Sequence, residues 1–219
     1  MAVPARRYER EDEVDAALRA LGNGRLERAV LEGALLFGEA ERRTCTENDP
    51  GILTGMIGWG RPIRYIREEM RARGWLREEP NSLPLVVSPD RTVGITVASG
   101  NEQTGNANAL YAATKWRKGP MMREWVEPSR QVRLPGLDEP DVSRYDVPEE
   151  LWLLLVRRTS THIFHELSRP TSVTPAGELR CGGARIFFSP LPIDQALPFN
   201  DAHDDEDEGF SPDVPVERI

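Results

Sequence analysis

Leu151-Trp152-Leu153-Leu154-Leu155-Val156 is the stretch that decides the fold. A short, unbroken apolar run bounded by charged residues reads as a buried strand. Thr159-Ser160 then turns the chain. Residues 162–167 read as a second strand, with Ile163, His165 and Leu167 on one face. Residues 184–188 make a third. Upstream, residues 85–87 and 92–98 flank Ser88-Pro89-Asp90-Arg91, where proline stands at position i+1 of a type I turn. Val93, Ile95 and Val97 share one face of the second strand of that hairpin.

Ahead of the strands the periodicity changes from two to 3.6. Residues 8–21 predict a helix with Val14, Ala17, Leu18 and Leu21 on one side. Residues 25–43 predict a stronger one, with Leu26, Val30, Ala34 and Phe37 aligned and a narrow polar face. Asp49-Pro50 suits a helix start, so 50–58 is expected to be helical but weak, since Gly51, Gly55 and Gly58 each cost about 1 kcal/mol against alanine. Pro62 is expected to open a further helix over 62–73, closed by Gly74. Residues 99–108 read as a polar loop, and 120–128 as a short helix. The expected architecture is α+β: N-terminal helices, winged-helix-like, then a small, mostly antiparallel sheet and a disordered acidic tail. By region, 1–130 is the helical part with its hairpin, 131–149 a linker or long loop, 150–189 an antiparallel β region, and 190–219 the acidic, proline-rich tail.

The 219 residues carry a net charge of −8. That charge belongs to the tail, because residues 190–219 hold nine acidic residues and one arginine, and residues 1–189 balance to zero. The body therefore sets up no global field toward nucleic acid. Mean hydropathy is −0.50, and no stretch is apolar enough to span a bilayer. The N-terminus lacks the apolar segment of a secretory signal, and two cysteines without metal spacing suit a reducing, cytoplasmic compartment. Phosphate-loop, dinucleotide, G-x-S-x-G and H-E-x-x-H motifs are absent, which points away from an enzyme. No catalytic residue, cofactor or metal is expected.

The helix, helix, helix, hairpin order over residues 25–99 resembles a winged helix-turn-helix, with 62–73 in the recognition position. The resemblance implies DNA contact through Arg61, Arg64, Arg67 and Arg71, of which the last three cluster within roughly 60° on a 3.6-residue wheel. Arg64 with Glu68 equally fits an i,i+4 pair on an ordinary amphipathic helix. Lys115-Trp116-Arg117-Lys118 is the densest basic-aromatic stretch, able to grip a single strand or to line a solvated loop edge. His162, His165 and Glu166 alternate across a strand, which does not suit a metal site. Asp90 and Glu102 would be the carboxylates of a metal-dependent nuclease, although no lysine follows Glu102.

The run from Gly74-Trp75 through Leu83-Pro84-Leu85-Val86-Val87-Ser88-Pro89, with Val97-Ala98-Ser99-Gly100-Asn101-Glu102-Gln103-Thr104-Gly105, resembles a group of bacterial and phage mobile-element proteins of unknown activity. Glu166-Leu167-Ser168 and Arg185-Ile186-Phe187-Phe188 fit the same group. The resemblance implies an accessory protein without catalysis. The expected function is binding of DNA or a DNA-bound complex, with no membrane partner. A protein-binding inhibitor or adaptor of the anti-defence type is the alternative, and the nuclease the second alternative.

Overall fold

The computed structural model describes residues 6–21, 25–126 and 148–193. Its elements are β1 (Arg7–Tyr8), α1 (Glu11–Leu21), α2 (Arg28–Arg42), α3 (Gly51–Arg71), β2 (Leu76–Glu78), a 3-10 turn (Pro80–Ser82), β3 (Leu85–Val87) and β4 (Val93–Ser99). There follow β5 (Ala112–Ala113), α4 (Pro120–Val126), β6 (Glu150–Arg158), β7 (His162–Ser168), β8 (Ser172–Val173), β9 (Leu179–Cys181), β10 (Arg185–Phe187) and β11 (Leu191–Pro192). The main sheet runs β1-β10-β7-β6-β4-β3-β2, with β11 also on β7, and β5-β9-β8 form a second, small sheet. The fold is α+β, helices first and sheet after. Most pairings are antiparallel, but the central pair β4–β6 is parallel from Val93↔Glu150 to Ser99↔Val156. One sheet thus joins the early hairpin to the strands after residue 150. Residues 131–147 of the expected 131–149 linker, the tail beyond Ile193 and His203 lie outside the described residues.

β6 is apolar from Leu151 to Val156 because both of its faces are covered there. Trp152, Leu154 and Val156 meet the helices in one core. Leu151, Leu153 and Leu155 point the other way, into a second core with Leu179, Cys181, Ala112 and Met122 from the small sheet and α4. The result is three layers: helices, main sheet, and a second layer made of the small sheet, α4 and the 100–111 loop. Both cysteines are free.

In α2, Val30, Leu31, Ala34, Leu35 and Gly38 form the buried stripe; in α3 it is Gly58, Pro62, Ile63, Ile66 and Met70. The two helices meet closely at Gly38, where a Cβ would lie 2.6 Å from the Pro62 ring. The expectation of two helices divided at Pro62 is corrected here: α3 is continuous through it. Proline removes the N–H that would bond the carbonyl four residues back. That carbonyl is Gly58, and Arg158 of β6 donates to it at 2.9 Å. A distant side chain thus replaces the missing backbone donor. α3 ends at Arg71, and Gly74, with φ +84°, turns the chain just after it. Asp49 does not cap α3; its carboxylate accepts from the backbone N–H of Thr46. The turn at Ser88–Arg91 closes as expected, Arg91 N–H donating to the Ser88 carbonyl at 2.8 Å.

Candidate anion-binding cleft

A cleft of about 670 Å³ opens where β4 and β6 end, between the N-terminal half of α3 and the second layer. Crevices beyond the carboxyl ends of parallel strands are where open α/β sheets place ligands. Gly51, Thr54, Gly55, Gly58 and Trp59 supply the helix wall, and Trp59 is pinned by its indole N–H donating to the Val97 carbonyl at 3.2 Å. Ser99, Gly100, Asn101, Glu102 and Gln103 supply the opposite wall. Four cations line the cleft, Arg42, Lys115, Arg157 and Arg158, against one carboxylate, Glu102.

Arg157 and Arg158 are consecutive on a strand, so they leave the sheet on opposite faces. Arg158 goes to the helix side. Besides the Gly58 carbonyl it holds Glu39 at 3.3 Å, and Arg43 approaches the same buried carboxylate at 3.5 Å. A carboxylate only 4% exposed needs such company, because an isolated buried charge is costly. Arg157 goes to the second-layer side. Its guanidinium lies over the Phe164 ring at 4.0 Å. Its Nε is buried without a hydrogen-bond partner, and among the described residues Arg157 has no ion pair.

The loop that carries Asn101, Glu102 and Gln103 is held from below. Arg185 and Glu166 form a bidentate pair, 2.6 and 3.0 Å, both fully buried. Glu166 also accepts from the Gly105 N–H at 2.9 Å and from Ser168 Oγ at 2.6 Å. Arg185 donates on to the Ala109 carbonyl at 2.7 Å, and Arg7 to the Ala107 carbonyl at 2.6 Å. A buried charge pair is tolerable only when its remaining lone pairs and protons are satisfied, and here they are.

The sequence-predicted residues divide between this cleft and other places. Lys115 lines the cleft, with its Nζ 5.0 Å from the centre of the half-buried Trp116 ring. Arg117 is exposed, and burial pushes the Lys118 ammonium down to about 8. On α3, Arg61 pairs with Glu41 at 3.3 Å and Arg64 with Glu68 at 2.9 Å, as an ordinary amphipathic helix would have it. Arg67 does not face outward: it donates to the carbonyls of Glu78 and Leu85 and braces β2 and β3. Arg71 is exposed. These four are therefore not one outward row. Asp90 accepts from Ser88 Oγ and Thr92 Oγ1 in its turn, and β4 separates it from Glu102 by its full length, so the two do not meet at one metal. Among the described residues, no group of three or more His, Cys, Asp or Glu could hold a metal ion.

His165 is fully buried and stacked on Phe188 at 4.9 Å. Burial pushes its imidazole down to about 4, the nearby Ile163 backbone opposing weakly without forming a full hydrogen bond. Reading the sequence missed Arg42, Arg157 and Arg158. Their signals were present: an Arg-Arg pair closing the apolar run, and glycines at 51, 55 and 58 along one helical face, counted only as helix-weakening. No helix among the described residues is long and apolar enough to cross a membrane. No family model, curated protein or solved structure matches the chain.

Proposed function

We propose that this protein is a non-enzymatic binder of single-stranded nucleic acid, with the cleft and the adjoining 115–118 stretch as its contact surface. Arg157 carries the reading: a guanidinium held over Phe164 at the cleft, with no carboxylate committed to it among the described residues. Partial desolvation of a guanidinium without an internal partner is unfavourable, and a phosphate oxygen is the acceptor that best matches its geometry. Arg42, Lys115 and Arg158 line the same cleft, with Glu39 held between Arg42 and Arg158. Beyond the cleft, Arg117 and Arg123 flank Gly177, and Arg180 lies over the Tyr111 ring at 4.3 Å. Basic groups interleaved with aromatic faces suit a sequence-tolerant grip on a single strand.

The test is fluorescence anisotropy with labelled single-stranded and duplex DNA at low and moderate salt. Single strands should bind, with log K falling by about 0.7 per log unit of salt for each phosphate held. Arg157→Ala should remove about one contact from that slope, and Arg64→Ala none. Binding unchanged in Arg157→Ala removes the cleft from the account, and no binding at low salt removes the function. A protein partner is the second reading, favoured by Leu110, which is 73% exposed on the loop held by Arg185. Leu110→Ser should then release that partner and leave salt-sensitive DNA binding intact.

A further inference from the structure

The cations of the cleft converge from three directions. Arg42 comes from the last turn of α2, Arg157 and Arg158 from opposite faces of β6, and Lys115 from the second layer. Two of these are set before any ligand arrives. Glu39 and the Gly58 carbonyl fix Arg158, and Arg157 rests over the Phe164 ring at 4.0 Å. Donors positioned in advance around one concavity suit a compact, multiply charged anion better than a string of single charges.

The helix wall leaves room for such an anion. Gly51, Gly55 and Gly58 expose backbone where other residues would project side chains. A Cβ at Gly51 would meet nothing within 4 Å, so the space in front of it is open. At Gly58 it would lie 3.3 Å from Arg42 Cδ, a tight contact, and 3.6 Å from Arg158 Cζ, an ordinary one, so both arginines run close past the bare backbone. α3 also begins at this wall, and its first N–H groups add a partial positive charge beside the arginines.

We infer that the cleft is a phosphomonoester subsite that takes the terminal phosphate of a single strand, with Arg157 as its bidentate contact. This rests on the nucleic-acid reading above. A terminal phosphate carries about −1.5 to −2 near neutral pH, whereas an internal diester carries a single charge. Glu39 shares the charge of Arg42 and Arg158 behind the cleft, so Arg157, with no ion pair among the described residues, is the contact that matches the denser anion. Arginine, not lysine, is required at 157, because the stacked planar fork meets two phosphate oxygens at once.

The experiment uses the full chain and one oligonucleotide sequence in three forms: 5′-phosphate, 3′-phosphate, and hydroxyl at both ends. One phosphorylated form should bind about 10-fold or more tighter than the hydroxyl form, the equivalent of roughly one strong charged contact. Arg157→Ala should collapse that preference while the hydroxyl form loses only a few-fold. Arg157→Lys should keep the salt slope and lose most of the preference, a result that general unfolding would not give. Equal affinity for all three forms, with binding still salt-sensitive, overturns the terminal-phosphate subsite and leaves the nucleic-acid reading standing. A preference that survives Arg157→Ala overturns the placement of the subsite in this cleft. No binding of any form overturns both.

Discussion

Arg185 and Arg157 flank β7 from opposite sides, on β10 and β6, and both send their guanidinium to the second-layer face of the sheet. Arg185 is wholly buried and donates four hydrogen bonds, two of them a bidentate pair to Glu166 and the others to the Ala109 and Gln103 carbonyls. Arg157 has an aromatic ring beneath it and a cleft in front. The same side chain is structural in one place and available in the other. What separates them is what β7 offers within reach: a carboxylate, Glu166, to Arg185 and a phenyl ring, Phe164, to Arg157.

Removing one partner of the buried pair is the severest test of that contrast. Arg185→Met should cost about 3–5 kcal/mol in urea unfolding, because Glu166 is left as a lone buried charge. Pairing it with Glu166→Leu should recover a large part of the loss. A single variant as stable as the parent would mean the pair does not hold the loop.

His165 sharpens the contrast from the other face of β7. It sits beside Glu166 but is buried without a charge partner, so it is held neutral. Its folded value of about 4 lies below the ordinary 6.5, so the unfolded chain binds the extra proton first. The stability this group contributes is present above pH 6.5 and is lost as pH falls from there through about 4, on the order of 3 kcal/mol in all. His165→Phe should flatten the acid limb of a stability profile measured over that range, and an unchanged limb would place the titration elsewhere.

Gly38→Ala comes next, at about 1–3 kcal/mol, since the new methyl meets the Pro62 ring in a packed interface. Arg157→Ala should be the smallest, within about 0.5 kcal/mol in thermal or urea unfolding. Its large effect belongs to ligand binding alone. A stability loss as large as that of Arg185→Met would break the comparison and make both arginines structural.

Much of the framework was legible because local chemistry determines it. The run at Leu151–Val156, the shared face of Val93, Ile95 and Val97, the Pro89 turn and the Gly74 stop follow from period and backbone preference. Pro62 misled because its cost is offset by Arg158, far along the chain, and no local rule contains that donor. The two-residue strands β1, β5, β8 and β11 carry too few residues to show a period. The cleft was half visible: Lys115 stood out by type and Glu102 was noticed, but Arg157 and Arg158 gain their roles from where β6 ends in space. Arg67 stood out by type as well, and only the hairpin packed against α3 turns it inward.

The parallel pairing of β4 with β6 also has a consequence in time. Residues 93–99 find their partner only when residues 150–156 exist. At roughly 5–20 residues per second of synthesis, β4 waits on the ribosome for seconds. Its hairpin with β3 is local and can close early, but its other edge is an unpaired apolar template during that interval. Nascent chains stalled between residues 100 and 150 should therefore be the aggregating species, and release of β6 the step that ends their exposure.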